Sequence, residues 1–309
     1  MECRLLGLLK KPAARRGRIG LALGANQLAV AVVRGEGTGA VLERCELWPL
    51  EPAESAAERL KAAALPHMPV SSVLAAGEYQ LVLVEAPDVP PAELKAAMRW
   101  RLKDSIDFRI EDAVIDVFEV PEQSRRASGR MMYAVAARRS VIERHAGALS
   151  GAAPLEVIDV PELCLRNLAA LMPAASGGIA LLHLGASSAA IILARARTFY
   201  FARQMELKPW PGSDPAVRLD PESVVLELQR SLDYYERHFD QPPITRVVVA
   251  PADARSETLA QELKRDSGLD VELLDLNVLL RCATPLSSEL QAKALLAVGA
   301  ALREEHRSL

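Results

Sequence analysis

Ile19-Gly20-Leu21-Ala22-Leu23-Gly24-Ala25-Asn26-Gln27-Leu28-Ala29-Val30-Ala31-Val32-Val33 has a counterpart 160 residues on, Ile179-Ala180-Leu181-Leu182-His183-Leu184-Gly185-Ala186-Ser187-Ser188-Ala189-Ala190-Ile191-Ile192-Leu193. Each sets β-favouring apolar runs on both sides of a glycine that is followed by short or polar residues. That pattern reads as strand, tight turn, strand. Backbone N–H groups at such turns can converge on an anion without help from side chains. Gly24, Ala25 and Asn26 in the first turn, and Gly185, Ala186 and Ser187 in the second, are therefore the candidate phosphate-binding positions.

Outward from the hairpins, 309 residues suffice for about two domains. Half are apolar and a quarter charged, as in a globular protein with a sizeable core. A net charge of −3 and few aromatic residues argue against a nucleic-acid partner, which calls for a basic footprint or stacking platforms. Cys3, Cys45, Cys164 and Cys282 lie far apart with no CxxC or Cys/His cluster, so reduced, mostly buried cytosolic thiols are expected rather than zinc or a disulfide framework. No apolar run reaches the length of a transmembrane helix. Residues 1–18 read as a flexible basic tail. Its apolar stretch is short and its charges follow it, so it is not a secretory signal. It is either a solvated tail or a weak anchor to an anionic membrane surface.

Strand and helix patterns alternate along the rest. Gln80-Leu81-Val82-Leu83-Val84-Glu85 reads as a strand, and prolines 90 and 91 open a helix with Leu94, Ala97, Met98, Leu102 and Ile106 on its apolar face. Strands at 114–120 and 131–137, joined by a polar tip, and a helix at 141–149 complete a compact inserted module over about 79–150. Asp159 is expected to cap a helix over 163–171. After the second hairpin come a strand at 198–203, a turn-rich connector and a long helix over 221–238. The stripe of that helix is Val224, Leu228, Ser231, Leu232 and Tyr235. Strands at 246–250 and 271–274, a helix at 257–266 and a closing helix at 289–304 make the chain α/β.

Several of these stretches resemble the PilM family of type IV pilus assembly proteins, and within it the MshI branch from mannose-sensitive haemagglutinin (MSHA) pilus biogenesis. They are Ala86-Pro87-Asp88-Val89-Pro90-Pro91-Ala92-Glu93-Leu94, Met98-Arg99-Trp100-Arg101-Leu102-Lys103-Asp104, Ile106-Asp107-Phe108, Glu111-Asp112-Ala113-Val114-Ile115-Asp116, Val157-Ile158-Asp159-Val160-Pro161-Glu162 and Arg230-Ser231-Leu232-Asp233-Tyr234-Tyr235-Glu236. The resemblance implies an actin-like ATPase fold of two RNase-H-like cores with a small inserted α+β subdomain. The first core would span 19–175 and hold the insert. The second would span 176–309, with its own helical/β subdomain at about 207–270. It also implies a cytoplasmic protein peripheral to the inner membrane. There it would receive the N-terminal peptide of a bitopic PilN-like protein (MshJ-type in the MSHA system) and meet other platform proteins or a second copy of itself. The cytoplasmic part of secretion-system GspL proteins is similar in role.

Departures from the family pattern shape the functional expectation. The magnesium-holding carboxylate expected two residues before each hairpin glycine is Ala22 in one and His183 in the other, and Ala29 stands where the first hairpin's lysine would fall. Magnesium requires hard oxygen ligands, which an imidazole does not replace. The glycine pair that admits adenosine after the strand at 247–249 is replaced by Ala250-Pro251-Ala252-Asp253. Hence the expectation is a pseudo-ATPase scaffold with no catalytic residue, no metal ligand and no cofactor. The alternative is an ATP/Mg-binding assembly factor or weak ATPase whose nucleotide state sets the angle between its halves. His183 is expected to be a buried, hydrogen-bonded imidazole. Arg230 and Tyr234 share a helix face that could border an adenine-side cleft.

Overall fold

The computed structural model describes residues 17–24, 26–50, 56–63, 65–121, 130–173, 175–185, 188–207 and 220–304. Residues 1–16 of the basic tail, the tip of the inserted hairpin and the turn-rich connector lie outside them, as do Ala25, Ala186 and Ser187. Gly17 and Arg18, read as the end of that tail, instead belong to the first strand, where Arg18 is buried.

The first hairpin pairs β1 (Gly17–Leu23) with β2 (Gln27–Arg34). β3 (Val41–Pro49) extends it, and after α1 (Ala56–Ala62) the chain returns as β4 (Val70–Val73), parallel to β1. It then leaves for β5 (Tyr79–Glu85), α2 (Pro91–Leu102), β6 (Ala113–Glu119), β7 (Met131–Arg138) and α3 (Arg139–Leu149). β8 (Leu155–Asp159) pairs parallel to β4, and α4 (Pro161–Ala169) carries the chain across to the second half.

There β9 (Ile179–Leu184), β10 (Ser188–Arg195) and β11 (Thr198–Glu206) form an antiparallel meander. α5 (Pro221–His238), β12 (Arg246–Ala250), α6 (Ala254–Ser267) and β13 (Asp270–Leu273) follow. The chain ends its described part with α7 (Leu276–Leu279), β14 (Arg281–Cys282) and α8 (Ser288–Ala301).

The sheets have the orders β14-β3-β2-β1-β4-β8 and β11-β10-β9-β12-β13. Without β14 the two are the same order used twice: an antiparallel meander whose first strand is extended by two parallel strands in succession. This is the pair of RNase-H-like cores. The repeat extends to register, because Ala22 faces Ala29 in the first hairpin as His183 faces Ala190 in the second. A separate three-stranded sheet, β5-β7-β6, forms the insert. Leu94, Met98 and Leu102 of α2 bury against one face of it with Ala113, Ile115 and Val117. Its other face packs on the main body.

The closing helix does not stay with the second core. α8 lies across β1, β2 and β4 of the first sheet and against α4, while β14 adds to the edge of β3. This Ala/Leu-rich helix packs internally: Ala294, Leu295, Ala297, Val298, Ala300 and Ala301 are all buried. Two glycines make the approach close enough. A Cβ on Gly20 would sit 1.9 Å from the Ala297 carbonyl oxygen, and one on Gly299 would sit 2.5 Å from that of Cys164. Only hydrogen fits at either point.

Two expectations need correction. Asp159 does not cap α4, whose N-cap is Val160 with no side-chain acceptor. Its Oδ1 accepts from the next residue's N–H at 3.0 Å, and its Oδ2 pairs with Arg303 just beyond α8 at 2.7 Å. The helix read at 257–266 starts three residues earlier, because Asp253 caps it by accepting from the Ser256 N–H at 2.9 Å. Among the described residues no helix is long and apolar enough to cross a membrane.

Candidate functional site

Each hairpin closes in the same way. The Gly24 N–H donates to the Gln27 carbonyl at 2.8 Å, and the Gly185 N–H donates to the Ser188 carbonyl at 2.8 Å. Two of the N–H groups expected to face a phosphate are thus committed within their own turns. Asn26 offers its carbonyl to the Leu50 N–H at 2.9 Å, tying the first turn to the end of β3.

The second hairpin carries an unforeseen cation. Arg255, in the first turn of α6, reaches back so that Nη1 donates to the Gly185 carbonyl at 2.9 Å, while Nη2 lies 3.5 Å from Asp253. A positive charge rests on the turn where a phosphate was sought, but it is spent on protein groups. His183 sits nearby, paired in register with Ala250, the last residue of β12. Burial, with Arg255 adding to it, pushes its pKa down to about 4, so the imidazole is neutral at pH 7. No hydrogen-bond partner for it is found among the described residues, against the expectation of a bonded imidazole. The Ala250–Pro251 bond that follows is cis.

Neither Arg230 nor Tyr234 lines either of two cavities found among the described residues. Arg230 pairs with Glu227 on its own helix, and Tyr234 stacks on His238, with ring centroids 4.0 Å apart.

One cluster has the distances of a nucleophile relay. The Ser72 Oγ lies 2.9 Å from His145 Nδ1, and His145 Nε2 lies 3.1 Å from Glu78 Oε2. Ser72 is fully buried in the middle of the first sheet, however. A nucleophile must meet its substrate. The trio instead pins α3 and the β4–β5 connection to β4.

A cavity of about 810 Å³ lies beside the insert. One wall is formed by consecutive residues 116–121 and the facing wall by 156–160. Side chains of a strand alternate between faces, so a run of consecutive lining residues means that the strand turns its edge to the space. β6 and β8 are the outermost strands of their sheets, so their outer main-chain groups border the groove. Arg197, between β10 and β11, and Thr198 and Phe199, at the start of β11, add to the lining. Val135 and Leu163 supply apolar floor, and Arg130, Arg166, Arg197 and Arg303 alternate with Asp116, Glu119, Glu156 and Asp159 around it. Arg18 braces the β8 wall, with Nη1 donating to Ser71 Oγ at 3.0 Å and Nη2 to Glu156 at 3.3 Å.

No protein-family model and no curated protein sequence matches the chain. Solved structures do. A PilM–PilN type IV pilus biogenesis complex is similar over 93% of this chain and 98% of that one, with 23% identity and a TM-score of 0.69. A Bacteroides thetaiotaomicron protein of actin-like ATPase fold and unknown function is similar over 91% and 96% of the two chains, at 10% identity and a TM-score of 0.52. The cytoplasmic domain of EpsL, an inner-membrane component of the Vibrio cholerae type II secretion system, is similar over 94% and 97%, at 11% identity and 0.50. The chain therefore has the actin-like ATPase fold, with both cores and the insert included in the match.

Proposed function

We propose that this protein is a cytoplasmic scaffold of a type IV pilus assembly platform of the MSHA kind, peripheral to the inner membrane. It receives the N-terminal cytoplasmic tail of a PilN/MshJ-like bitopic protein and does not hydrolyse ATP. The observation that carries the reading is the groove between β6 and β8. Two open strand edges facing one apolar-floored channel suit an extended peptide, which gains main-chain hydrogen bonds from an edge and side-chain contacts from the floor. Similarity to one member of a PilM–PilN complex makes a PilN-like tail the first occupant to test.

Ala22 and His183 support the absence of hydrolysis, since neither supplies a carboxylate for magnesium and phosphoryl transfer depends on metal and positioned charge. The alternative, a nucleotide-responsive assembly factor, has the backbone of both hairpins in its favour. Against it stand the committed Gly24 and Gly185 amides and the engagement of Arg255 with Gly185.

The test is calorimetric titration of the full chain with a synthetic peptide of the PilN-like protein's N-terminus. Val157→Arg and Thr198→Arg place bulk and charge on two sides of the groove, and each is expected to weaken binding at least about tenfold while the variant still melts cooperatively. Binding unchanged in both variants would place the tail elsewhere.

A further inference from the structure

The groove and the junction between the two halves share residues. Phe118 and Phe199 both line the groove, one from β6 of the insert and the other from β11 of the second sheet. With Tyr133 of β7 they form a three-ring block, with centroids 5.4 Å (Phe118–Tyr133), 5.5 Å (Phe118–Phe199) and 5.3 Å (Tyr133–Phe199) apart. The Tyr133 hydroxyl accepts the Ala202 N–H at 3.1 Å. β11 is an edge strand, so this amide has a side-chain acceptor where no neighbouring strand offers one.

A second tie lies along the same edge. The Tyr79 hydroxyl, on β5, donates to the carboxylate of Glu162 at 2.7 Å, and Gln204 of β11 donates to the Tyr79 hydroxyl at 2.9 Å and to Glu162. Glu162 is fully buried in the first turn of α4, the helix that links the cores. The insert, which belongs to the first half by sequence, is thus fastened to the second half at two points, and one of them adjoins two aromatic rings that line the groove.

We propose that the insert is an interdomain bolt, with Tyr133 as its positioning residue, and that peptide occupancy of the groove is coupled through the Phe118–Tyr133–Phe199 block to the packing of the two halves. The coupling adds regulation to the groove and rests on the function proposed above for its ligand. Because both walls of the groove belong to the first half while Arg197, Thr198 and Phe199 of the second half complete its lining, it exists in full only while the halves are held at this angle. An occupant therefore strengthens the junction, and by linkage a loosened junction weakens the occupant by the same factor.

Tyr133→Phe keeps the ring and deletes the hydroxyl, leaving the Ala202 amide without its acceptor. Gln204→Ala loosens the second tie on its own. Amide hydrogen exchange is to be followed in the full-length wild type and both variants without peptide. Tyr133→Phe is expected to raise exchange about tenfold in β11 together with the groove walls at 113–119 and 155–159. A rise confined to β11 would overturn the bolt. With the PilN-like N-terminal peptide, Tyr133→Phe should bind about tenfold more weakly, and saturating peptide should protect β11 amides in the wild type. Wild-type affinity in Tyr133→Phe, or no protection of β11, would overturn the coupling. If the wild type binds no such peptide, the groove's assigned ligand is wrong, while the peptide-free exchange still decides whether the bolt exists.

Discussion

Gly20→Ala is the sharpest perturbation of the packing that joins the two cores. The added methyl carbon would lie 1.9 Å from the Ala297 carbonyl oxygen and 2.6 Å from the Ala301 nitrogen. Both are backbone atoms of α8, so no side chain can turn aside. Restoring ordinary contact requires α8 to retreat from β1 by about 1.5 Å, and its buried face also packs on α4. Overpacking of this kind costs about 3 kcal/mol or more when backbone has to move. For a chain this long that corresponds to a melting temperature lowered by roughly 6 °C. Gly39→Ala is the control, since a Cβ there meets nothing within 4 Å. Scanning calorimetry on both variants, with urea unfolding to confirm the free energy, reads the difference. A Gly20→Ala protein that melts within about 1 °C of the wild type would refute the close approach of α8 to β1.

Further expectations concern charge and ligand. The depressed pKa of His183 means that the unfolded chain takes up a proton near pH 6.5 while the folded chain waits until about pH 4. The associated stability is complete above pH 6.5 and is lost as pH falls towards 4. Its size is about 2 kcal/mol after allowing for the ring's remaining contact with water. Urea unfolding at pH 7 and pH 5 should show the larger part of this loss in the wild type and a smaller one in His183→Leu; equal losses would contradict it. Arg303→Ala leaves the nearly buried Asp159 carboxylate without its cation and should cost about 3 kcal/mol, part of it recovered in the Asp159→Asn double variant. Millimolar Mg-ATP should leave the melting temperature unchanged, because tight binding to the folded state would raise it. A saturable rise would favour the nucleotide-responsive alternative.

What the sequence disclosed follows from how local its signals are. Both hairpins, including the register that sets Ala22 and His183 at equivalent places, follow from alternating apolar runs around a glycine. The buried stripe of α5 is the one its 3.6-residue period marks. β3 is less legible because Glu43, Arg44 and Glu46 break its alternation; its strand pairing comes from β2, not from its own pattern. The features that define the candidate sites are longer-range still. Arg255 on Gly185, Arg303 on Asp159 and Tyr133 on Ala202 join residues 70, 144 and 69 positions apart. An arginine near a helix start gives no sign of which carbonyl it will reach. The groove was equally hidden, since it exists only where the edges of two sheets come to lie side by side.

The central claim is that the β6–β8 groove holds a partner's tail without help from nucleotide. Its most direct test is titration of the full chain with the PilN-like N-terminal peptide, with and without millimolar Mg-ATP. The predicted result is one-to-one binding of equal affinity in both conditions, lost in Val157→Arg. Binding that appears only with Mg-ATP, or that survives Val157→Arg unchanged, would contradict it.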